Sequence, residues 1–235
     1  IASTLYGSIV FFLIYVILPE TNNEHTAERL NLKFFCNAYG QLLRSSTFMG
    51  YSLCVFFTYG AFFSWFIVGP ILCALYFKLS PECFGWLNLG LGGSAMAIGG
   101  IFNARYVARF GQDIMLRLGW GLIILSALFM LILDLLSCLT FAPFLICIFT
   151  FLFAATLIWP ISFSRAFAPF GSIAGYAGSL YSSMQLGGGA IIGWISAFIP
   201  DDRAYPLATV FMITAFSAWW IFEYFVKDNR TYLRN

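Results

Sequence analysis

Charge is what this sequence most lacks. Only 9% of its 235 residues are Asp, Glu, Lys or Arg, against roughly a quarter in an ordinary soluble domain. That is too little to coat a water-facing globule of this size. It excludes an ordinary soluble enzyme and a disordered chain. The formal net charge is +2, so no basic surface points to nucleic acid. Histidine is also scarce, with His25 standing alone, and none of the six cysteines (Cys36, Cys54, Cys73, Cys83, Cys138, Cys147) belongs to a CxxC pair. A triad, a zinc centre or a redox pair has no residues to draw on. The expectation is therefore no catalytic activity, no metal and no cofactor. The chain opens at Ile1 on an apolar run without a basic segment before it. That does not look like a signal peptide, and we read it as a truncation or an internal start.

What is abundant is apolar. Hydrophobic residues make up 61% and aromatics 20%, with 28 Phe and a mean hydropathy of +0.86. No Asp, Glu, Lys or Arg occurs in 1–19, 45–77, 83–104, 118–133, 135–164, 166–200 or 204–222. A membrane helix needs about 20 mostly apolar residues. Only helices and closed barrels satisfy their backbone in lipid, and continuous rather than alternating apolar runs exclude barrel strands. Trimming at Pro, Gly and polar residues predicts helices near 1–18, 47–70, 84–103, 113–134, 143–165, 172–199 and 206–226. The fold class is all-α membrane protein with seven spans. All but two Lys and Arg, Lys78 and Arg203, fall in segments on one side: 19–46, 104–117, Arg165 and the tail 227–235. The positive-inside rule places that side, including the C-terminus, in the cytoplasm.

Seven spans with this orientation also describe a retinal protein or a seven-helix receptor. A retinal protein needs a Lys within its last helix, and 206–226 has none before Lys227. The receptor motifs Asp/Glu-Arg-Tyr and Asn-Pro-x-x-Tyr are absent. The spacing is uneven, with a long connection after the first helix and mostly short ones later. It reads as one helix followed by six.

Three motifs carry a resemblance. Leu18-Pro19-Glu20-Thr21 closes the first helix, since Pro stops a helix and disfavours helical geometry before it. Between the third and fourth helices stands Asn103-Ala-Arg105-Tyr-Val-Ala-Arg109-Phe110-Gly111-Gln-Asp113-Ile-Met-Leu-Arg117-Leu-Gly119. Ala168-Pro169-Phe170-Gly171, then Ala174-Gly175 and Ser179-Leu180, opens a glycine-rich helix. Together these resemble the major facilitator superfamily of transporters, and the R-x-x-x-R-F-G version is similar to its bicyclomycin-resistance (Bcr/CflA) drug-efflux group. An acidic residue often found in that group near Ser172 is absent here. The resemblance implies the C-terminal half of a twelve-helix transporter plus its sixth helix. On that reading 1–18 is a remnant of the N-terminal half, 19–46 the cytoplasmic interdomain loop marked by Pro19, Glu20 and Thr21, 47–226 a six-helix bundle and 227–235 a cytoplasmic tail. It implies alternating-access export of drugs or small lipophilic or cationic compounds across a bacterial inner membrane, coupled to protons. The implied partners are the lipid bilayer, the substrate, protons and the missing half. A siderophore or metabolite exporter on the same fold is one alternative, and a seven-helix receptor is the alternative from another class.

Residue chemistry supplies candidates. Arg105 and Arg109 share a face if their helix runs past Asn103, where they can neutralise a helix C-terminus and attract Asp113 or lipid phosphate. Gly111 permits a tight turn. With Asp113 and Arg117 these form the candidate cytoplasmic gating loop, for which plain positive-inside anchoring is the competing reading. Small residues four apart, Gly171/Gly175 and Gly189/Gly193, let helices approach closely. Gln185, with Tyr181 on its face, and Tyr51, Tyr59 and Trp159 are the candidate substrate cavity, the last beside the kink expected at Pro160. The competing reading for each aromatic is packing or lipid contact. Asp134, Arg165 and Glu223 fall at helix ends, where they can snorkel or cap.

Overall fold

The computed structural model describes residues 2–17, 32–199 and 203–227. The Pro19-Glu20-Thr21 motif, His25 and the tail beyond Lys227 lie outside these residues. The described residues are helical, with no strand among them. The chain divides into Ile1–Asn37 and Ala38–Asn235. The first unit holds helix α1 (Ala2–Ile17), apolar around its whole circumference.

The second unit is a bundle of α3 (Ser46–Leu75), α4 (Pro81–Leu87), α5 (Gly93–Phe110), α6 (Gln112–Leu135), α7 (Phe141–Phe167), α8 (Ala174–Ser196) and α9 (Tyr205–Ile221). A π-helical turn, Asn88–Gly92, joins α4 to α5, and a 3-10 stretch, Ala168–Ile173, joins α7 to α8. Four helical stretches are long and apolar enough to cross a membrane: Ser46–Leu75, Gln112–Leu135, Phe141–Ser196 and Tyr205–Tyr224. The third contains both α7 and α8, interrupted at Phe170 by non-helical geometry.

Contacts fix the direction of each helix. Gly60 packs on Ile192, and Ser64 bonds Ser196 at 2.7 Å, so α3 and α8 run the same way. Tyr51 meets Phe222 and the Cys54 thiol donates to the Ala218 carbonyl, so α9 runs against α3. Trp120 meets Phe222, Asp134 meets Tyr205, and Gly119 packs on Ile158. Thus α6 runs opposite to α9 and to α7. Gly92 and Gly99 approach Leu152 and Thr156, so α5 runs with α7. Helices α3, α6 and α8 point one way and α5, α7 and α9 the other, as six consecutive crossings of a bilayer require.

The boundaries differ from the expected ones for physical reasons. α3 continues through Pro70 to Leu75, because membrane helices tolerate proline when neighbours re-satisfy the backbone. At Pro160 that repair is visible. Proline has no N–H for the Thr156 carbonyl, and Asn103 Nδ2 from α5 donates to it at 3.3 Å. Residues 32–44, inside the segment read as interdomain loop, form the amphipathic helix α2 (Leu32–Arg44). Its Ala38 and Leu42 are buried, and Arg44 in the last turn complements the helix dipole. Ser45 caps α3 by accepting the Phe48 N–H. Tyr205 at the start of α9 has no local side-chain cap, and Asp134 of α6 takes its N–H instead, at 3.0 Å.

The glycines divide sharply. A β-carbon at Gly188 would collide with the Phe56 carbonyl, one at Gly189 would lie 2.8 Å from Phe63, and one at Gly193 2.8 Å from Ile67. These positions seat α8 on α3. Gly171 and Gly175, expected to pack at the same spacing, have nothing within 4 Å.

Candidate functional site

Two clusters gather the candidate residues. The first is aromatic, between α3 and α7. The Tyr59 ring lies 5.2 Å from Trp159 edge-on, with Phe62 5.5 Å from Tyr59 and 5.1 Å from Trp159. The two pairs made by Trp159 are edge-to-face, a geometry favoured by the ring quadrupole. The indole N–H of Trp159 is buried without an acceptor among the described residues. Two turns on, Tyr181 is buried against Phe163 and Phe167 at 5.6 and 5.5 Å. Phe163 follows Trp159 by one turn of α7, so one aromatic seam runs from Tyr59 to Tyr181. Gln185 stands one turn beyond Tyr181, half-buried, and its amide makes no hydrogen bond among the described residues. Tyr51 is elsewhere: fully buried, 6.3 Å from Phe222, on the side of α3 that meets α9.

The second cluster is charged and lies at the Gly111 end of the bundle. α5 does run past Asn103, to Phe110. Gly111 alone connects it to α6, with φ 83° and ψ 154°. That backbone region is essentially restricted to glycine, and this explains the residue at the turn. Arg105 and Arg109 share the exposed side of α5, and the Arg109 guanidinium lies 5.6 Å from the Phe110 ring. Asp113 does not pair with them. It faces Arg165 of α7 at 3.8 Å, and Arg165 also donates to the Gln112 side chain. The reason is placement: Asp113 opens α6 on its α7 side, while Arg105 and Arg109 point outward from α5. Arg117 Nη2 donates to Glu223 at 3.0 Å, and its Nε lies beside the same carboxylate without a hydrogen bond, an ion pair between α6 and the π-helical end of α9 (Phe222–Lys227).

Sequence reasoning treated Arg165, Glu223 and Asp134 as helix-end residues. The structure makes them cross-helix partners. At the opposite end Asp134 has no exposed surface, lies 3.5 Å from Arg203 and takes the Tyr205 N–H, while Arg203 also donates to the Asp134 carbonyl oxygen. Only the Asp113–Arg165 pair joins successive helices, α6 and α7; the other two join α6 to α9 or the segment before it, a pairing that sequence order does not signal. Among the described residues no cluster of His, Cys, Asp or Glu is arranged to hold a metal.

An aromatic seam lies between crossing helices and charge pairs tie their ends, and two known proteins resemble the chain that builds them. Over 204 residues the chain is 26% identical to a protein named bicyclomycin resistance protein homolog from Haemophilus influenzae, covering 87% of this chain and 51% of that protein. The chain is similar to major facilitator transporters. A second relative, the uncharacterized MFS-type transporter YdgK of Bacillus subtilis, is 24% identical over 211 residues, 90% of this chain and 52% of the relative. No family model matches. The chain spans about half the length of the curated relatives it matches, consistent with the C-terminal half of such a transporter. Of the two, the second is named a transporter.

Proposed function

We propose that this chain forms the C-terminal six-helix half, with the preceding helix, of a secondary transporter that exports drugs or small lipophilic compounds by alternating access. The observation that carries it is the alignment with the bicyclomycin resistance homolog across 87% of the chain. The alternating directions of α3 and α5 to α9 support it. On this reading the Gly111 end and the C-terminus face the cytoplasm of a bacterial inner membrane, α1 belongs to the other half, and residues 19–46 connect the two. Export is driven by protons. Tyr59, Trp159, Tyr181 and Gln185 face the substrate path, where the half-buried Gln185 amide offers a donor and an acceptor to a substrate. Arg165 with Asp113 and Arg117 with Glu223 close the cytoplasmic end, and Gly111 sets their geometry.

The test is expression of the complete protein in a bacterium lacking its main efflux pumps. Resistance to bicyclomycin or to a lipophilic cation such as tetraphenylphosphonium rises, and a protonophore abolishes it. Gln185→Leu and Tyr59→Phe change the substrate profile while membrane insertion is retained. Unchanged susceptibility with well-inserted protein refutes export of these classes. An unchanged profile in both variants makes the two positions packing residues.

A further inference from the structure

The Asp134-side half of the bundle holds a cavity of about 320 Å³ between α3, the α4–α5 turn and α7. None of the sequence candidates lines it. Phe62 and Phe66 form one wall, their rings 4.8 Å apart. Leu152 and Met96 close another, and Gly85, Gly92 and Gly93 leave the floor without side chains. One polar side chain enters, that of Asn88, and no charged residue lines the space.

Asn88 opens the π-helical turn, a feature frequent at functional sites. Its orientation is fixed by a neighbour. The Trp65 indole N–H donates to Asn88 Oδ1 at 3.2 Å. An indole can only donate, so the amide oxygen must face Trp65, which is itself wholly buried. Gly69 leaves room for that indole, since a β-carbon there would lie 2.7 Å from it. The amide nitrogen is thereby turned away from Trp65. Its two N–H bonds have no acceptor among the described residues.

We propose that this cavity is a binding subsite for an uncharged, planar aromatic compound carrying a hydrogen-bond acceptor, held between Phe62, Phe66 and the glycine floor with its acceptor on Asn88 Nδ2. The volume lies within the range of small-molecule sites. The aromatic walls select flat rings, and the absence of a countercharge selects against ions. Phe62 also touches Trp159, so the subsite adjoins the aromatic seam. Its biological use rests on the transporter reading, but binding does not.

Benzophenone is a suitable probe, being an aryl ketone whose photoexcited carbonyl takes a hydrogen from a nearby C–H bond. The two carbon radicals then join, and the adduct carries the whole mass of the probe. The complete protein is reconstituted in liposomes, irradiated and mapped by peptide mass spectrometry. The expected adduct is on Met96. Gly93→Leu abolishes it by filling the space, and the substitution is tolerated because a β-carbon at Gly93 meets nothing within 4 Å. Fluorenone competes roughly fivefold better than fluorene, which lacks the acceptor, the worth of about one hydrogen bond, and the difference disappears in Asn88→Leu. Labelling spread over the exposed Ile98 and Ile101 and unchanged by Gly93→Leu overturns the site. Equal competition by fluorene and fluorenone overturns the role of Asn88. Labelled Met96 without any efflux refutes the transporter reading alone, and efflux without labelled Met96 refutes the subsite alone.

Discussion

Gly111→Ala isolates a purely conformational cost. At φ 83° and ψ 154° a β-carbon is strained whatever its surroundings, and here the surroundings are empty, with nothing within 4 Å. Crowding therefore contributes nothing. Holding a non-glycine residue in such a region costs about 1–3 kcal/mol, a factor of roughly 5 to 150 in any equilibrium that depends on this turn. Gly121 is the control: equally open space, inside α6 with helical geometry. There Gly→Ala stabilises by up to about 1 kcal/mol. Asn sharpens the test, because it tolerates the left-handed helical region but gains nothing at ψ near 150°. Gly111→Asn is thus as harmful as Gly111→Ala. The assay is thermal unfolding of purified protein in one detergent, followed by size-exclusion fluorescence, beside drug resistance in cells. The expected order of melting temperature is Gly121→Ala at or above the parent, with both Gly111 variants several degrees below. Equal melting of Gly111→Ala and Gly121→Ala refutes the argument that one strained residue sets the α5–α6 connection.

Three further outcomes follow from other contacts. Gly188→Ala lowers stability by about 1–3 kcal/mol through forced separation of α8 from α3, while the neighbouring Gly187→Ala is neutral because its β-carbon only grazes Phe56; the same melting assay reads both. Arg203→Met leaves a fully buried Asp134 carboxylate without its cation and costs about 3 kcal/mol, and the double variant with Asp134→Asn recovers part of the loss. A membrane-impermeant maleimide applied to intact cells labels Cys83 or Cys138 but not a cysteine introduced at the exposed Ala108, and the reverse pattern overturns the orientation.

The crossing segments were legible because the bilayer imposes a simple requirement, a long apolar run, that no tertiary contact alters. Gly111 was legible because a glycine set between two charged helical stretches marks a turn that other residues make only under strain. The helix α2 was not: its apolar residues are interleaved with Asn37, Gln41 and Arg44, and a membrane-protein reading assigns such polarity to a loop. Pro70 suggested an end that α3 ignores. Asn88 gave no sign at all, since its role comes from an indole on another helix 23 positions away. The ion pairs failed to show for the same reason. Arg117 and Glu223 are 106 positions apart, and only the antiparallel packing of α6 and α9 brings them to one end. In the aromatic seam, Tyr59 and Trp159 come together while Tyr51, on the same helix, turns to α9. Depth along a helix could be counted from sequence, but the face depended on neighbours.

The bond from Asn103 to the Thr156 carbonyl makes α7 structurally incomplete on its own. A backbone acceptor that proline abandons is served by another helix, so part of the hydrogen bonding of α7 resides in α5. Sliding either helix past the other strands an acceptor and a donor at once in a medium that offers no water to either. The two helices are therefore coupled at this depth like a tongue in its groove. Displacement of the bundle is cheaper where α5 and α7 travel together than where they part.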